Sequence, residues 1–348
     1  MKIVAGLGCI DDYIRLVKAG ADEVFVGFVP YEWNEKYGTL FPLNRREVLY
    51  YNVQINSFED MKILKKMVNV YKVPVTITFN YLYYLPQQYS LIEKIMRDLI
   101  EIGFDEFIIA DIALLKYMKE KNIKCKIHLS GECAEINRFS IDFLNQFNIV
   151  RYIFHRKNTI GDMKSCIQAN KIKNLEYEAF ILNERCHYTG AFCSSLHCDE
   201  LSHICQLQYN MSKINKHSNH FTNVDEELDK YCKDMKECTY EEKETDEDEN
   251  SSYIIGDTGC GICALKRLKD AGVTQLKVVG RGKSIDNMEQ DVSGLRKALD
   301  MLKLIDSKKD SINFVDNVID NNKQSNTIFE NKIKEELFQG KCSNECYY

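Results

Sequence analysis

A chain of 348 residues with 45% hydrophobic content can bury a large core, which excludes disorder of the whole chain. Its formal net charge of −6 argues against a general nucleic-acid binder. The segment Glu241–Glu249 carries seven acids and one lysine and accounts for that charge by itself. The rest of the chain is near neutral, so local basic sites for an anion remain compatible with the composition.

No apolar stretch reaches the roughly eighteen residues that a membrane helix needs, and the amino terminus lacks the features of a secretory signal. The sequence therefore predicts a cytoplasmic protein with no membrane association. Fourteen cysteines in such a compartment need an explanation. Reducing conditions discourage structural disulfides and favour metal-binding or catalytic roles for cysteine.

Short β-rich runs alternate with amphipathic helical stretches along most of the chain. Eight strands are predicted, at Lys2–Leu7, Glu23–Phe28, Pro74–Asn80, Glu106–Ala110, Lys124–Leu129, Val150–His155, Leu175–Ile181 and Gln275–Gly280. Most are continuous apolar runs, which are typical of parallel strands buried on both faces. Eight strands with helices between them favour an α/β fold of the (β/α)₈ TIM-barrel type, with an open doubly wound sheet as the alternative.

The predicted organisation is a single barrel domain over residues 1–305. A Cys-rich loop and acidic insertion occupies residues 182–256, between the seventh and eighth strands. Residues 306–348 form a polar C-terminal tail with a predicted helix at Thr327–Phe338. The tail ends in KCSNECYY, where Cys342 and Cys346 would either lie in a frayed end, the favoured interpretation, or serve as a redox dithiol or ligands of a second cluster.

The cysteines after the seventh strand form the main chemical signal in the sequence. Their positions in the loop and just beyond the acidic insertion are Cys186, Cys193, Cys198, Cys205, Cys260 and Cys263. Loops at the carboxyl ends of barrel strands form the catalytic face, and four thiolates close a 4Fe-4S cluster. Histidines interleaved with these cysteines make zinc the alternative metal, and spacing alone does not separate the two.

The region from Leu175 to Tyr209, with the later DAGVTQLKVVGR segment, resembles peptidase family U32. Glu178 precedes Cys186 by eight residues, and six residues separate Cys186 from Cys193, as in that family. The resemblance implies a 4Fe-4S cluster whose third and fourth ligands are Cys205 and Cys260, the latter twelve residues before Gly272. Cys198 and Cys263 are the reserves, and residues 182–185 depart from the family pattern.

Polar residues at the ends of other predicted strands complete the candidate site. We expect Glu132, His155 and Glu178 to act in proton transfer and basic side chains to bind an anionic substrate. Glu178 could instead pair with Arg281. The predicted substrate-binding residues are Arg281, Lys283, Arg156, Arg45 and Arg46. For each of these groups an ordinary solvated loop residue is the competing interpretation.

No serine–histidine–acid order or HExxH helix indicates protease machinery, despite the family's name. The resemblance implies instead cluster-bearing proteins of oxygen-independent hydroxylation, acting on ubiquinone precursors or RNA bases, with prephenate implicated as oxygen donor. The leading hypothesis is therefore a 4Fe-4S enzyme that modifies an organic or macromolecular substrate, by hydroxylation or another reaction, with an anionic small-molecule cosubstrate. The alternatives are a peptidase and a non-catalytic, cluster-bearing subunit of a heterodimer.

Overall fold

The computed structural model describes residues 1–38, 41–45, 53–133, 136–186, 193, 213–214, 221–222, 253–310 and 326–348. Eight of its strands are parallel and form one closed sheet. They are β1 Lys2–Leu7, β2 Glu23–Gly27, β3 Val75–Phe79, β4 Glu106–Ile109, β5 Lys126–Leu129, β6 Ile149–Ile153, β7 Glu176–Leu182 and β10 Gln275–Val278. Two short strands, β8 Lys213–Ile214 and β9 Phe221–Thr222, pair antiparallel to each other.

Closure of the sheet is shown by β1, which pairs with β2 on one side and β10 on the other. Lys2 lies opposite Gln275, and Val4 lies opposite Glu23. The predicted barrel is thus confirmed, and the open sheet is excluded. In chain order the cysteine-rich and acidic segment falls between β7 and β10, as predicted.

Helices connect the strands and cover the outside of the barrel. They are α1 Tyr13–Ala19, α2 Tyr31–Tyr37, α3 Phe58–Tyr71, α4 Tyr89–Ile102, α5 Ile112–Glu120, α6 Arg138–Leu144, α7 Ile160–Ala169, α8 Leu265–Ala271 and α9 Ile285–Asp310. Gly20 ends α1 in a left-handed conformation, with φ of 110°. The Ser57 hydroxyl caps α3 by accepting from the Asp60 amide at 3.0 Å. Local caps therefore set helix boundaries that packing alone would leave loose.

The hydrophobic core has two parts. The larger part lies between the strands and the surrounding helices. A separate cluster fills the inside of the barrel with alternate side chains of the strands, from Val4, Phe25, Ile108, Ile153, Phe180 and Val279. This layer lies in the middle of the barrel, between the polar side chains of its two ends.

The C-terminal segment packs against the barrel, where a frayed end was the favoured expectation. Residues 326–332 are helical and continue into a π-helical turn at Ile333–Leu337. The Cys260 amide donates to the Glu345 carbonyl at 2.8 Å, and the Tyr347 amide donates to the Cys260 carbonyl at 2.8 Å. Backbone pairing thus holds this segment beside the loop that precedes α8, because Cys260 and Cys346 form a parallel bridge.

Residues Met1–Asp199 and Ile254–Tyr348 form one compact unit, and Glu200–Tyr253 form another. In the second unit the described residues are the four of β8 and β9 and Tyr253. Among the described residues, no helix is long and apolar enough to cross a membrane.

Candidate functional site at the barrel mouth

A cavity of about 60 Å³ opens at the carboxyl ends of the strands, the face on which barrel enzymes place their active sites. We call it the mouth cavity. Its charged lining residues are Arg45, Glu132, Arg156, Glu184, Lys277 and Arg281. Four cations against two carboxylates leave a surplus of two positive charges, so the cavity favours an anion.

Arg281 follows β10 and is held by two amide side chains. Its guanidinium donates to the Asn44 carbonyl oxygen at 3.2 Å and to that of Gln54 at 3.4 Å. Asn44 and Gln54 also bond reciprocally at 3.1 Å. A Cβ atom at Gly27 would overlap both the Gln54 amide and the Arg281 guanidinium, so only glycine allows this close approach to β2.

Arg45 and Arg156 flank Glu132 on the opposite rim. Nε of Arg45 lies 3.5 Å from the Glu132 carboxylate, and an Arg156 terminal nitrogen lies 3.7 Å from it. Both arginine side chains are buried, yet the Nε atom of each makes no hydrogen bond. Buried donors without acceptors are unfavourable, so these two guanidinium groups retain hydrogen-bonding capacity that an anionic ligand would satisfy.

Lys277 and Glu178 lie below this rim, inside the barrel. The Lys277 ammonium donates to Glu178 at 2.7 Å, and Arg151 donates to the other carboxylate oxygen at 2.9 Å. Burial alone would raise the pKa of Glu178, but these two cations more than offset it, so its pKa is lowered. Glu178 is fully buried and does not line the mouth cavity, and its partners are Lys277 and Arg151 rather than Arg281.

Two of the predicted site residues point elsewhere. Nδ1 of His155 accepts from the Lys157 amide at 3.1 Å, and burial lowers the pKa of His155 to about 4, so this histidine is neutral at pH 7. Lys283 donates to Asn183 at 3.0 Å and to Asp257 at 2.8 Å, within the loops beside the cavity. Neither lines the cavity, and Arg46 lies outside the described residues.

Two of the predicted cluster ligands lie close to the mouth. The Cys193 carbonyl accepts from Arg45 at 3.1 Å. Cys186 follows β7 and is close enough to Arg156 and Tyr347 to affect the pKa values of both. Cys205 and its reserve Cys198 lie outside the described residues. The structure therefore associates the first cysteine pair with the arginine-lined rim.

Cys260 has a different set of neighbours. Burial is the main cause that raises the pKa of its thiol to about 12, with smaller contributions from Cys263, Cys342 and Cys346. Paired residues of adjacent strands project to one face, so Cys346 shares the face of Cys260, while Tyr347 projects to the other. Among the described residues, no three Cys, His, Asp or Glu side chains are gathered in a metal-binding arrangement.

A buried aspartate connects the two loops that carry Cys186 and Cys260. Asp291 of α9 accepts from the Asn183 side chain at 2.7 Å and from the Gly256 amide at 3.2 Å. The Asn183 side chain also donates to the Val279 carbonyl at 3.0 Å. Because Asp291 is fully buried, water does not compete for these hydrogen bonds, and they attach both loops to α9.

A second cavity, of about 290 Å³, lies at the amino-terminal ends of the strands; we call it the foot cavity. Its charged groups are paired. Arg151 bonds Glu23 at 2.6 Å, Glu176 at 2.6 Å and Glu178 at 2.9 Å, and Lys2 bonds Glu23 at 2.9 Å. This end of a barrel is associated with stability, and the pairing agrees with that role.

Sequence reasoning missed several residues of the mouth. Lys277 carried a usable signal, because a lysine two residues from Val279 and four from Arg281 shares their face of an otherwise apolar strand. Asn44, Gln54 and Tyr347 carried no comparable signal. Their roles depend on contacts between distant parts of the chain.

The sequence pattern of Peptidase family U32 matches residues 9–346 of this chain. The chain belongs to peptidase family U32. The resemblance found in the cysteine and β10 segments is thus confirmed over nearly the whole length.

A curated relative is tRNA hydroxylation protein P of Escherichia coli (strain K12). It is 24% identical over 231 residues, which are 59% of this chain and 51% of the relative. The chain thus matches about half the length of that protein.

Solved structures also show similarity. The U32 peptidase Mk0906 has a TM-score of 0.39 at 9% identity, over 52% of this chain and 69% of that one. Dihydrodipicolinate synthase from Bacillus clausii has a TM-score of 0.40 at 9% identity, over 97% of this chain and 83% of that one.

Proposed function

We propose that this U32 protein is a 4Fe-4S enzyme that modifies an organic substrate, by oxygen-independent hydroxylation, with an anionic cosubstrate bound in the mouth cavity. The observation that carries the proposal is the pair of buried arginines, Arg45 and Arg156, whose Nε atoms lack hydrogen bonds beside Cys186 and Cys193. The family and the tRNA hydroxylation relative support the reaction class.

The donor set fits a cluster at the mouth in part. Cys186 and Cys193 would supply two thiols there, Cys205 is the proposed third ligand, and Cys260 is the proposed fourth. Thiolates are the usual ligands of iron–sulfur clusters, and surrounding cations stabilise the net negative charge of such a site. The bound cluster would supply redox or Lewis-acid chemistry at the mouth.

The remaining roles fall to the chain's own residues. Arg281, positioned by Asn44 and Gln54, and the two rim arginines would hold carboxylate groups of the cosubstrate. Glu132 lies between those arginines, so it is the proposed proton acceptor at the rim. Glu178 positions Lys277 from below and His155 positions its own loop; neither contributes to the lining of the mouth cavity.

The test is anaerobic purification followed by iron, sulfide and absorption measurements. Cys186→Ala and Cys193→Ala should each lose most of the cluster iron. Cys166→Ala is the matched control, because Cys166 is buried within α7 and should leave the iron content unchanged. A colourless protein loaded with zinc would refute the cluster, whereas full iron retention in either variant would refute that cysteine as a ligand.

A second arm tests the anion site with prephenate, measured by calorimetry. Arg156→Gln and Arg45→Gln should each weaken binding about ten- to hundredfold, as expected for a lost charge-assisted hydrogen bond. Arg97→Gln, on the exposed face of α4, is the control that should bind normally. Unchanged binding in both rim variants would contradict the proposal.

The family name keeps peptidase activity as the alternative for direct assay. Peptide cleavage by the anaerobic protein, abolished by the Cys186 variant, would replace hydroxylation as the proposed reaction. Activity that appears only when a partner subunit is added would instead indicate a heterodimer.

A further inference from the structure

Lys277 is a buried ammonium group in the mouth cavity to which the proposed function gives no chemical step. It lies on β10, inside the barrel, and is 6% exposed. Its Nζ atom contacts the Glu178 carboxylate at 2.7 Å and lies 3.9 Å from the centroid of the Phe25 ring. One side of the amine therefore faces an acid and another an aromatic ring, while the side chain borders the cavity.

The surroundings favour the neutral amine more than water does. Burial lowers the pKa of Lys277, and the positive charges of Arg151 and Arg281 lower it further, against the opposing effect of Glu178. A desolvated lysine close to other cations is the arrangement that activates an amine toward carbonyl groups. Glu178 is oriented by Arg151 on its far side, so its near oxygen is fixed against the amine.

The cavity also contains the groups that would orient a small keto acid. Arg281 borders the cavity from the residues that follow β10, and Arg45 and Arg156 form the opposite rim. A carboxylate bound to these guanidinium groups would bring a neighbouring carbonyl toward the remaining cation, Lys277. The volume of about 60 Å³ suits a keto-acid group of a few heavy atoms.

We propose that Lys277 forms an imine with a small α-keto acid bound in the mouth cavity. The ammonium passes a proton to Glu178, and the free amine attacks the carbonyl carbon. The carbon–oxygen bond then breaks, and the oxygen leaves as water with one proton from the attacking nitrogen and one returned by Glu178. Overall, lysine ammonium and ketone give a protonated imine and one water, so charge and electrons balance without an oxidant.

The protonated imine retains a positive charge at the same atom, so its ion pair with Glu178 is conserved through the step. This inference rests on the proposed function only in using the same cavity as the substrate site. Formation of the imine requires neither the cluster nor a partner.

The experiment uses the full chain, purified anaerobically, with pyruvate as the probe and sodium cyanoborohydride to reduce any imine. Intact mass spectrometry should show one reduced adduct per chain, and peptide mapping should place it on Lys277. Because the mapping is done on the unaltered protein, it does not depend on the folding of any variant. An absent adduct, or one spread equally over surface lysines, would overturn the proposal.

Variants sharpen the outcome. Lys277→Arg keeps the charge but should form no adduct, whereas Lys283→Arg should form it normally because Lys283 does not line the cavity. Arg281→Gln should raise the pyruvate concentration for half-maximal trapping about tenfold or more. Cys186→Ala should lose iron and still form the adduct. Failure to trap with iron retained would therefore remove this inference and leave the proposed function intact.

Discussion

The two ends of the barrel carry similar numbers of charged groups but differ in how closely the arginines pair with carboxylates. At the foot cavity, Arg151 bonds three carboxylates at 2.6–2.9 Å. At the mouth cavity, the contacts of Arg45 and Arg156 with carboxylates range from 3.5 to 3.8 Å, and both Nε atoms lack hydrogen bonds. Paired buried charges contribute to a unique fold, whereas under-satisfied ones are available to a ligand.

The contrast has one exception at the foot. Nδ1 of His128 is buried without a hydrogen-bond partner, and burial places the pKa of His128 well below its ordinary value. A neutral histidine adds no charge to the network, so it does not change the balance of cations and carboxylates at the foot cavity. The following changes test the distinction, from the largest expected effect to the smallest.

Arg151→Ala should cause the largest loss of stability, about 3–5 kcal/mol, because it leaves Glu23, Glu176 and Glu178 without their shared cation. Urea unfolding followed by circular dichroism measures this free energy. The matched mouth variant, Arg156→Ala, should lose much less. Equal losses of unfolding free energy in the two variants would contradict the distinction between a stabilising foot cavity and a ligand-binding mouth cavity.

Asp291→Ala should destabilise by about 1–3 kcal/mol, because it leaves the Asn183 side chain and the Gly256 amide without their acceptor. Hydrogen exchange should rise around residues 183–186 and 256–260 before it rises in the strands. The control is Asp300→Ala on the exposed face of the same helix. Uniform exchange through the barrel would show that Asp291 supports the whole fold and not the mouth loops alone.

His155 predicts a pH dependence at the mouth. Burial lowers its pKa to about 4 from an ordinary 6.5, so between these values the unfolded chain binds a proton that the folded chain does not. Stability is therefore lost as pH falls from 6.5 toward 4. Unfolding free energies of the wild type and His155→Gln should converge at low pH, since the glutamine carries no proton-linked penalty. A constant difference from pH 7 to 4.5 would contradict this pKa shift.

Lys126→Ala should change stability by less than about 1 kcal/mol, although its ammonium contacts Glu106 at 2.6 Å. The lysine is half exposed at the edge of the foot cavity, so water competes with the pair. Thermal unfolding measures the shift. A loss as large as that of Arg151→Ala would mean that the edge of the foot is as important as its centre.

The eight barrel strands were predictable because most of them are short, largely apolar runs that are buried on both faces. Gly20 and Gly103 end α1 and α4 in left-handed conformations, which is the usual place of a glycine after a helical pattern. The closed form of the sheet was not decided by periodicity. It depends on the pairing of β1 with β10, two strands from opposite ends of the chain.

The mouth was predictable where a residue adjoins a strand end, and also at Arg45 in the long segment between β2 and β3. Arg45, Glu132, Arg156 and Arg281 were expected and do line the cavity. The pairing of Cys260 with Cys346 was not foreseen, because backbone hydrogen bonds between distant segments leave no trace in spacing. Lys277 and Lys283 differ in environment because Lys277 lies on β10 inside the barrel, whereas Lys283 lies in the loop that follows β10.

Gly27 offers a way to interpret more distant members of the family. The Arg281 guanidinium and the Gln54 amide occupy the space that a side chain at this position would need. Any larger residue would therefore displace the arginine. Glycine at this position and arginine after β10 should consequently have changed together during divergence. Relatives that keep the arginine but replace the glycine would be expected to have a rearranged mouth and a different preference for the anion.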